Sequence, residues 1–403
     1  MSDSESEDDI DSRIVLSIDG GGFRGLACLL ILAHLTEEIA GGSDEDPPKP
    51  CQIFDLICGT STGGLIAILL GRFGLSCKDA IDVYKEIGAT MFGGEADSGK
   101  IWGHIIHGEE FSSALFEKKL EEITTRYTGS KDTLFKPRKD APDTVHHEST
   151  LTFVPVVSKI ASAGVDPNRI RSYPRPSDDI DPAPYGHKWT IVQGARGTCA
   201  APLYFSPLKI QSGKATYVFQ DAGASGFNNP AIPAMDEAEK LFGYDANITL
   251  VTLGTGLRSL VKEGQYRTGG KKEVEEEDVA NFMQQILDSV KNVGKNARNA
   301  PQLAKRIAKQ LLEVATDTEI SHLHTAEEFD RQGRRQYYHR FNPPQGLGDI
   351  ALTDCRQEDK IAVITGAWLK SVNGRNHISK AVNNLKGPYE RKERKAREQF
   401  QKA

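Results

Sequence analysis

The pentapeptide Gly59-Thr60-Ser61-Thr62-Gly63 constrains the fold more than any other stretch, because it sits between two apolar runs, 53–58 and 65–70. A Gly-x-Ser-x-Gly turn in that setting predicts a buried strand bending sharply into a helix. The serine hydroxyl then stands clear of the sheet, positioned as a nucleophile. The spacing alone recurs by chance, so the surrounding sequence has to carry the reading.

Upstream, Ile14-Val15-Leu16-Ser17-Ile18 reads as a second buried strand. It runs into Asp19-Gly20-Gly21-Gly22-Phe23-Arg24-Gly25 and then an apolar helix over 26–35, with a stop at Gly41-Gly42. Three successive glycines leave backbone N–H groups uncovered, so the loop can close around an oxygen that turns negative during reaction. Loop and elbow are complementary halves of acyl-transfer chemistry, and the strand–helix–strand order predicts a parallel βαβ unit.

Further strands are expected at 151–157, where Pro155 favours an edge or a bulge, at 217–220 delivering Asp221, and at 248–253 delivering Gly254-Thr255-Gly256. Helices are expected over 78–88, 111–127, 189–199 and 359–369, with a charged terminal helix over 388–403. Two apolar stripes, Val279, Phe282, Ile286, Val290 and Leu303, Ile307, Leu311, Val314, read as core-facing helices. Segments 128–149 and 162–188 read as surface loop, 264–278 as a charged mobile loop, and Phe341-Asn342-Pro343-Pro344 as a strand terminator.

The chain has 403 residues, 38% hydrophobic and 26% charged, as in an ordinary soluble enzyme, and its net charge of −6 gives no reason to expect nucleic acid as a partner. None of the six cysteines forms a Cys-x-x-Cys pair, so they read as reduced core residues. Six carboxylates crowd the first twelve residues, which predicts a disordered tail without the features of a secretory leader and makes a cytosolic chain the natural reading. Without an apolar run of about 18 residues, membrane contact is expected to be peripheral. The pairs His104/His107, His146/His147 and His322/His324 lack the Cys or carboxylate context of a metal site.

Taken together, these motifs resemble those of the patatin-like phospholipases, a family of serine acyl hydrolases. Asp19 to Gly25 is similar to the family's oxyanion loop and Gly59 to Gly63 to its nucleophile elbow. Asp221-Ala222-Gly223 followed by Asn228-Asn229-Pro230 resembles its catalytic aspartate segment. The blocks Ala195-Arg196-Gly197-Thr198-Cys199-Ala200-Ala201-Pro202 and Leu253-Gly254-Thr255-Gly256 also match in family order.

The resemblance implies an α/β fold: a three-layer α/β/α sandwich with a mainly parallel central sheet, related in logic to α/β hydrolases. It implies a catalytic domain over 13–257 after a disordered acidic tail at 1–12. A mainly helical extension over 258–385 would pack on that domain, ahead of a charged helix or tail at 386–403.

The implied activity is hydrolysis of lipid acyl esters, of the phospholipase A or lysophospholipase kind, without metal or cofactor and with transient contact to a membrane surface. Ser61 would attack the carbonyl and Asp221 take its proton, with Gly20, Gly21, Gly22 and Thr62 as the oxyanion hole. Asp19, Arg24, Gly25, Gly59, Gly63 and Gly223 would build the frame of the motifs. One departure stands out: Ala222 occupies a position where the family usually has glycine. If that position required φ > 0, alanine would cost about 1 kcal/mol and turn Asp221 slightly.

Three alternatives remain on the sequence. Gly20-x-Gly22-x-x-Gly25 also fits a dinucleotide fingerprint, but no acidic residue ends a second strand as that motif requires. A Ser-Asp-His triad is open because His322, His324, His339 and His377 all follow Asp221. The alternative function is a non-catalytic lipid-binding or scaffold protein that retains the fold. Head-group preference, sn-1 or sn-2 choice and oligomeric state have no readable code.

Overall fold

The computed structural model describes residues 12–41, 46–93, 111–136, 150–158, 167–174, 187–202, 204–257, 318–344 and 346–402. Strand β1 (Ser12–Ile18) lies at the centre of the sheet and pairs in parallel with β2 (Leu56–Gly59) on one side and β7 (Asn247–Leu253) on the other. Outward from β2 come β3 (Leu151–Ser158), β6 (Ala215–Asp221) and β5 (Leu208–Ser212), and outward from β7 comes β8 (Tyr338–Phe341). The β1–β2, β1–β7, β2–β3 and β7–β8 pairings are parallel. Those of β3 with β4 (Asn168–Arg171), β3 with β6, and β5 with β6 are antiparallel.

Side chains alternate across the sheet with period two, and the alternation sorts them into two cores. Ile14, Leu16, Ile18, Ile57, Val251 and Leu253 face one core. That side is covered by α1 (Leu26–Ala40), α4 (Cys77–Phe92), α5 (Ser113–Thr128), α6 (Ile191–Thr198), α9 (Glu358–Lys370) and α10 (Val372–Lys402). Val15, Leu56, Cys58, Phe153 and Leu250 face the other, where α7 (Ala231–Phe242) and α8 (Glu319–Arg331) pack. Ala231, Ala234 and Ala238 give α7 a small-residue face that lets it lie close to the strands. The result is a three-layer α/β/α sandwich on a mixed, mostly parallel sheet.

Several local expectations change. The apolar run 53–58 divides: Pro50–Ile53 is a short helix, α2, and the strand begins only at Leu56. The elbow helix α3 (Thr62–Ala67) passes into a π-helical turn over Ile68–Arg72. Part of the expected surface loop at 162–188 is strand β4, whose Arg169 and Arg171 are buried. The charges survive there because Arg171 grips Glu237 through Nε at 2.5 Å and Nη2 at 2.7 Å, Tyr173 donates to the same carboxylate at 2.7 Å, and Arg169 meets Asp236 at 2.7 Å.

Pro155 lies within β3, yet pairing with β2 stops at Phe153, so its missing donor falls where β2 has already left for the elbow. Pro388 does not open a terminal helix but sits inside α10. Gly387 before it has no Cβ to oppose the proline ring. Both flanks are anchored, Leu385 in the core and Lys392 by bonds to Asp55 at 2.8 Å and the Ile53 carbonyl at 2.6 Å. The stripes at 279–290 and 303–314 and the loop at 264–278 lie outside the described residues.

Candidate active site

Parallel register carries β1, β2 and β7 to one edge of the sheet, so Asp19, the elbow and Gly254-Thr255-Gly256 emerge side by side. The elbow needs both of its glycines. A Cβ on Gly59 would lie 2.1 Å from the Gly63 carbonyl oxygen, and one on Gly63 would lie 2.4 Å from that of Ile18 and 2.5 Å from that of Asp19. Between them Ser61 holds φ 56° and ψ −128°, the single non-glycine residue with positive φ among those described. Its N–H is held by Thr198 Oγ1 at 3.1 Å, and its carbonyl accepts from Gly64 and Leu65 in the first turn of α3. Strain of this kind persists only where surroundings over-determine it, and it aims the hydroxyl away from the sheet.

Asp221 ends β6, opposite Val156 in the antiparallel pair, and its N–H donates to the Ala200 carbonyl at 3.2 Å. One carboxylate oxygen accepts the Gly223 N–H at 2.8 Å, and Asp221 and Ser61 border the same pocket. Burial pushes the carboxyl from its ordinary 3.8 up to about 6, against the opposing pull of the nearby Ser61 side chain and the Gly223 N–H. Ala222 starts a short 3₁₀ turn with its φ outside the left-handed region, so the strain considered for alanine at this position is absent.

The glycine loop presents its donors unequally. The Gly20 N–H is spent on the Asn228 carbonyl at 2.9 Å, and Gly20 does not line the pocket, which corrects its expected place among the oxyanion donors. The Gly21 N–H makes only a long 3.4 Å contact with Thr62 Oγ1, and Gly21, Gly22 and Thr62 all border the pocket. Thr62 heads α3, where first-turn N–H groups have no intrahelical acceptor. Gly22 has φ +58°, and a Cβ there would meet the Leu352 carbonyl oxygen at 2.1 Å.

Frame residues hold this loop. Arg24 donates to the carbonyls of Gly21 at 3.3 Å and Gly348 at 2.9 Å, and Tyr84 donates to that of Gly22 at 2.6 Å. Gly25 leaves room for the Tyr84 hydroxyl, 2.4 Å from where its Cβ would be. Asp19 is fully buried and bound by Arg340. Neither Tyr84 nor Arg340 was legible as a site residue. Tyr84 looks like one apolar position of an amphipathic helix, and Arg340 arrives from a distant strand.

The pocket over Ser61 and Asp221 has a cavity volume of about 70 Å³. Met91, Phe92, Tyr204, Phe205 and Leu352 give it an apolar lining. None of the described histidines lines it; of those that follow Asp221, His324 is exposed on α8 and the other three are engaged elsewhere. His322 bonds the Tyr338 hydroxyl at 2.8 Å, His339 meets Asn384 at 3.0 Å, and His377 lies edge-on to Trp368. Among the described residues no group of three or more His, Cys, Asp or Glu could hold a metal ion, and no helix is long and apolar enough to cross a membrane.

The sequence profile of the patatin-like phospholipases matches residues 16–235, a span that holds Ser61, Asp221 and the glycine loop. The chain belongs to that family. Among its relatives, phospholipase A I of Arabidopsis thaliana is 31% identical over 294 residues, 63% of this chain and 21% of that protein. Human calcium-independent phospholipase A2-gamma is 27% identical over 248 residues, 60% of this chain and 28% of that protein. The cGAMP-activated phospholipase of Pseudomonas aeruginosa is 28% identical over 60% of this chain and 62% of its own length. The match therefore spans only a fraction of the length of the first two relatives.

Proposed function

We propose that this patatin-like protein hydrolyses fatty-acyl esters of lipids, in the manner of a phospholipase A or lysophospholipase, through a Ser61–Asp221 dyad. The observation that carries the reading is the pairing of a strained, positive-φ serine with a buried carboxylate at the mouth of an apolar pocket. The names of the relatives supply the substrate class, and the apolar lining suits an acyl chain.

In this mechanism Ser61 Oγ attacks the ester carbonyl while its proton passes to an Asp221 carboxylate oxygen. The tetrahedral oxyanion is met by the N–H groups of Gly21, Gly22 and Thr62. Collapse breaks the acyl C–O bond, the proton on Asp221 goes to the leaving alcohol, and Ser61 carries the acyl group. Water then attacks that ester, gives a proton to Asp221, and the acid leaves as Ser61 Oγ takes the proton back.

An ordinary aspartate near 3.9 is a weaker base than histidine near 6.5 by about 3.5 kcal/mol. Its rise to about 6 removes most of that handicap. Because acyl chains reside in bilayers or micelles, the protein meets its substrate by transient contact with a lipid surface.

The test is ester hydrolysis in the presence of chelator, on p-nitrophenyl acyl esters and phospholipid vesicles, for wild type, Ser61→Ala and Asp221→Asn. Turnover lost in both folded variants supports the dyad. An inert wild type overturns the enzyme reading in favour of a lipid-binding scaffold, and loss in Ser61→Ala alone moves the base elsewhere.

A further inference from the structure

We infer that Asn228 and Thr255 are positioning residues for the oxyanion-binding Gly21 N–H, acting through the carbonyl of Gly20; the inference rests on the hydrolase reading above. Asn228 Nδ2 donates to the Gly20 carbonyl oxygen at 3.2 Å, and Thr255 Oγ1 donates to the same oxygen at 3.2 Å. Both side chains are buried and come from different parts of the chain, Asn228 from the segment after Asp221 and Thr255 from the turn after β7.

The consequence follows from peptide geometry. No described peptide bond is cis, so the Gly20 carbonyl and the Gly21 N–H lie in one plane and point in opposite directions. Fixing the carbonyl against Asn228 and Thr255 therefore fixes the N–H toward the side where Thr62 and the pocket lie. Glycine has the softest backbone of any residue, and three in a row would otherwise let this peptide flip. Two bonds to one carbonyl also polarise the peptide and strengthen its N–H as a donor, by the order of 10–30% per bond.

Close packing leaves the clamp little slack. A Cβ on Gly20 would fall 2.2 Å from Asn228 Oδ1, and one on Gly21 would fall 2.2 Å from Thr255 Oγ1. Asn228 also binds Gly20 in the reverse sense, its backbone carbonyl accepting the Gly20 N–H at 2.9 Å. The segment that supplies the Asp221 carboxylate and the loop that supplies the oxyanion donor are thereby locked to each other.

Thr255→Val keeps the branched shape and removes the hydroxyl, Thr255→Ser keeps the hydroxyl, and Asn228→Asp replaces the donor with an acceptor. Each is assayed against wild type for kcat and KM on a p-nitrophenyl ester, for melting temperature, and for affinity toward a trifluoromethyl ketone that forms a tetrahedral oxyanion on Ser61. The non-electrophilic methylene analogue of that ketone measures ground-state binding.

Removing an oxyanion donor outright costs about 10²–10³ in kcat, so loosening the aim of one is expected to cost about tenfold in Thr255→Val and more in Asn228→Asp. KM and methylene-analogue affinity should hold, ketone affinity should fall in parallel with kcat, and Thr255→Ser should recover most of the loss. Thr255→Val with wild-type kcat overturns the inference while leaving the hydrolase reading intact. So does a loss shared by KM, analogue binding and melting temperature, or a Thr255→Ser variant no better than Thr255→Val. A wild type inert on every ester removes the reading and this inference together.

Discussion

Arg340, on the strand at the far edge of the sheet, grips Asp19 at the root of the glycine loop with both terminal nitrogens, at 2.9 and 2.6 Å. Glu319 at the start of α8 braces the same guanidinium at 3.2 Å and also accepts from Asn342 at 2.9 Å. Asn342 in turn accepts the Gly256 N–H at 2.7 Å. The loop after β1, the turn after β7 and the end of β8 are thus joined by one polar network, and its core is a buried two-point ion pair between residues 321 apart in sequence.

That pair predicts strong non-additivity. Burial, helped by the charge of Glu319, raises the Asp19 carboxyl to about 6 even with Arg340 beside it, so Arg340→Met should drive it higher and leave a buried group without its ion-pair partner. Orphaning one member of such a pair costs about 3–5 kcal/mol, whereas replacing both members with neutral groups costs much less. Urea unfolding of Arg340→Met, Asp19→Asn and the double variant should show the double variant more stable than the sum of the singles predicts. Simple additivity would mean that the pair contributes nothing beyond its parts.

The Asp221 environment predicts the acid limb of the pH profile. In the proposed mechanism the carboxylate form is the base, and its pKa is raised to about 6 by burial. Single-turnover acylation of wild type should therefore fall about tenfold per pH unit below that value and level off above it. An acid limb centred near 4 would show that Asp221 is as solvated as an ordinary carboxylate.

The same shift has a cost in stability, and its sign runs opposite to that of a salt-bridged aspartate. With the folded-state pKa above the unfolded value of 3.8, the native state is penalised wherever Asp221 is ionised, and the penalty fades as pH falls from about 6 to 3.8. A difference of about two units corresponds to about 3 kcal/mol at neutral pH. Asp221→Asn, which keeps an oxygen acceptor for the Gly223 N–H, should therefore be inactive yet more stable than wild type by about 1–3 kcal/mol at pH 7. The gain should vanish below pH 4, and guanidinium melts at the two pH values would expose a variant that fails to show this dependence.

How much of this was legible in the sequence depended on how local the cause was. Ser61 declared itself because its strain is imposed within five residues, by glycines that approach Ile18 and Asp19 backbone. Strands β1 and β7 could be anticipated as buried because each is an almost unbroken run of apolar or small residues, covered on both faces. Strand β4 was hidden because Arg169 and Arg171 look like surface charges until Glu237, on a helix far along the chain, is brought beside them. Arg340 and Thr255 were hidden for the same reason: each matters only through Asp19 or Gly20, and chain distance erases that relation. Gly20 differs from its expected role because a glycine pattern says how many N–H groups are uncovered, not which one a neighbouring carbonyl has already taken.

Steric contact at the elbow gives the most direct test of how tightly site and fold are joined. Gly63→Ala would force its Cβ against two backbone carbonyl oxygens at 2.4 and 2.5 Å, and neither can swing aside as a side-chain tip would. The strand end carrying Asp19 must move away from the elbow, which costs about 1–3 kcal/mol of overpacking and separates the loop donors from Ser61. Activity should fall by more than the loss of stability explains. Gly213→Ala is the control: it also has positive φ, at +58°, but its Cβ would enter open space at the β5–β6 hairpin. It should cost about 1 kcal/mol and leave turnover unchanged. Equal losses of activity in the two variants would show that turnover tracks global stability, with no special demand on the approach of the elbow to the glycine loop.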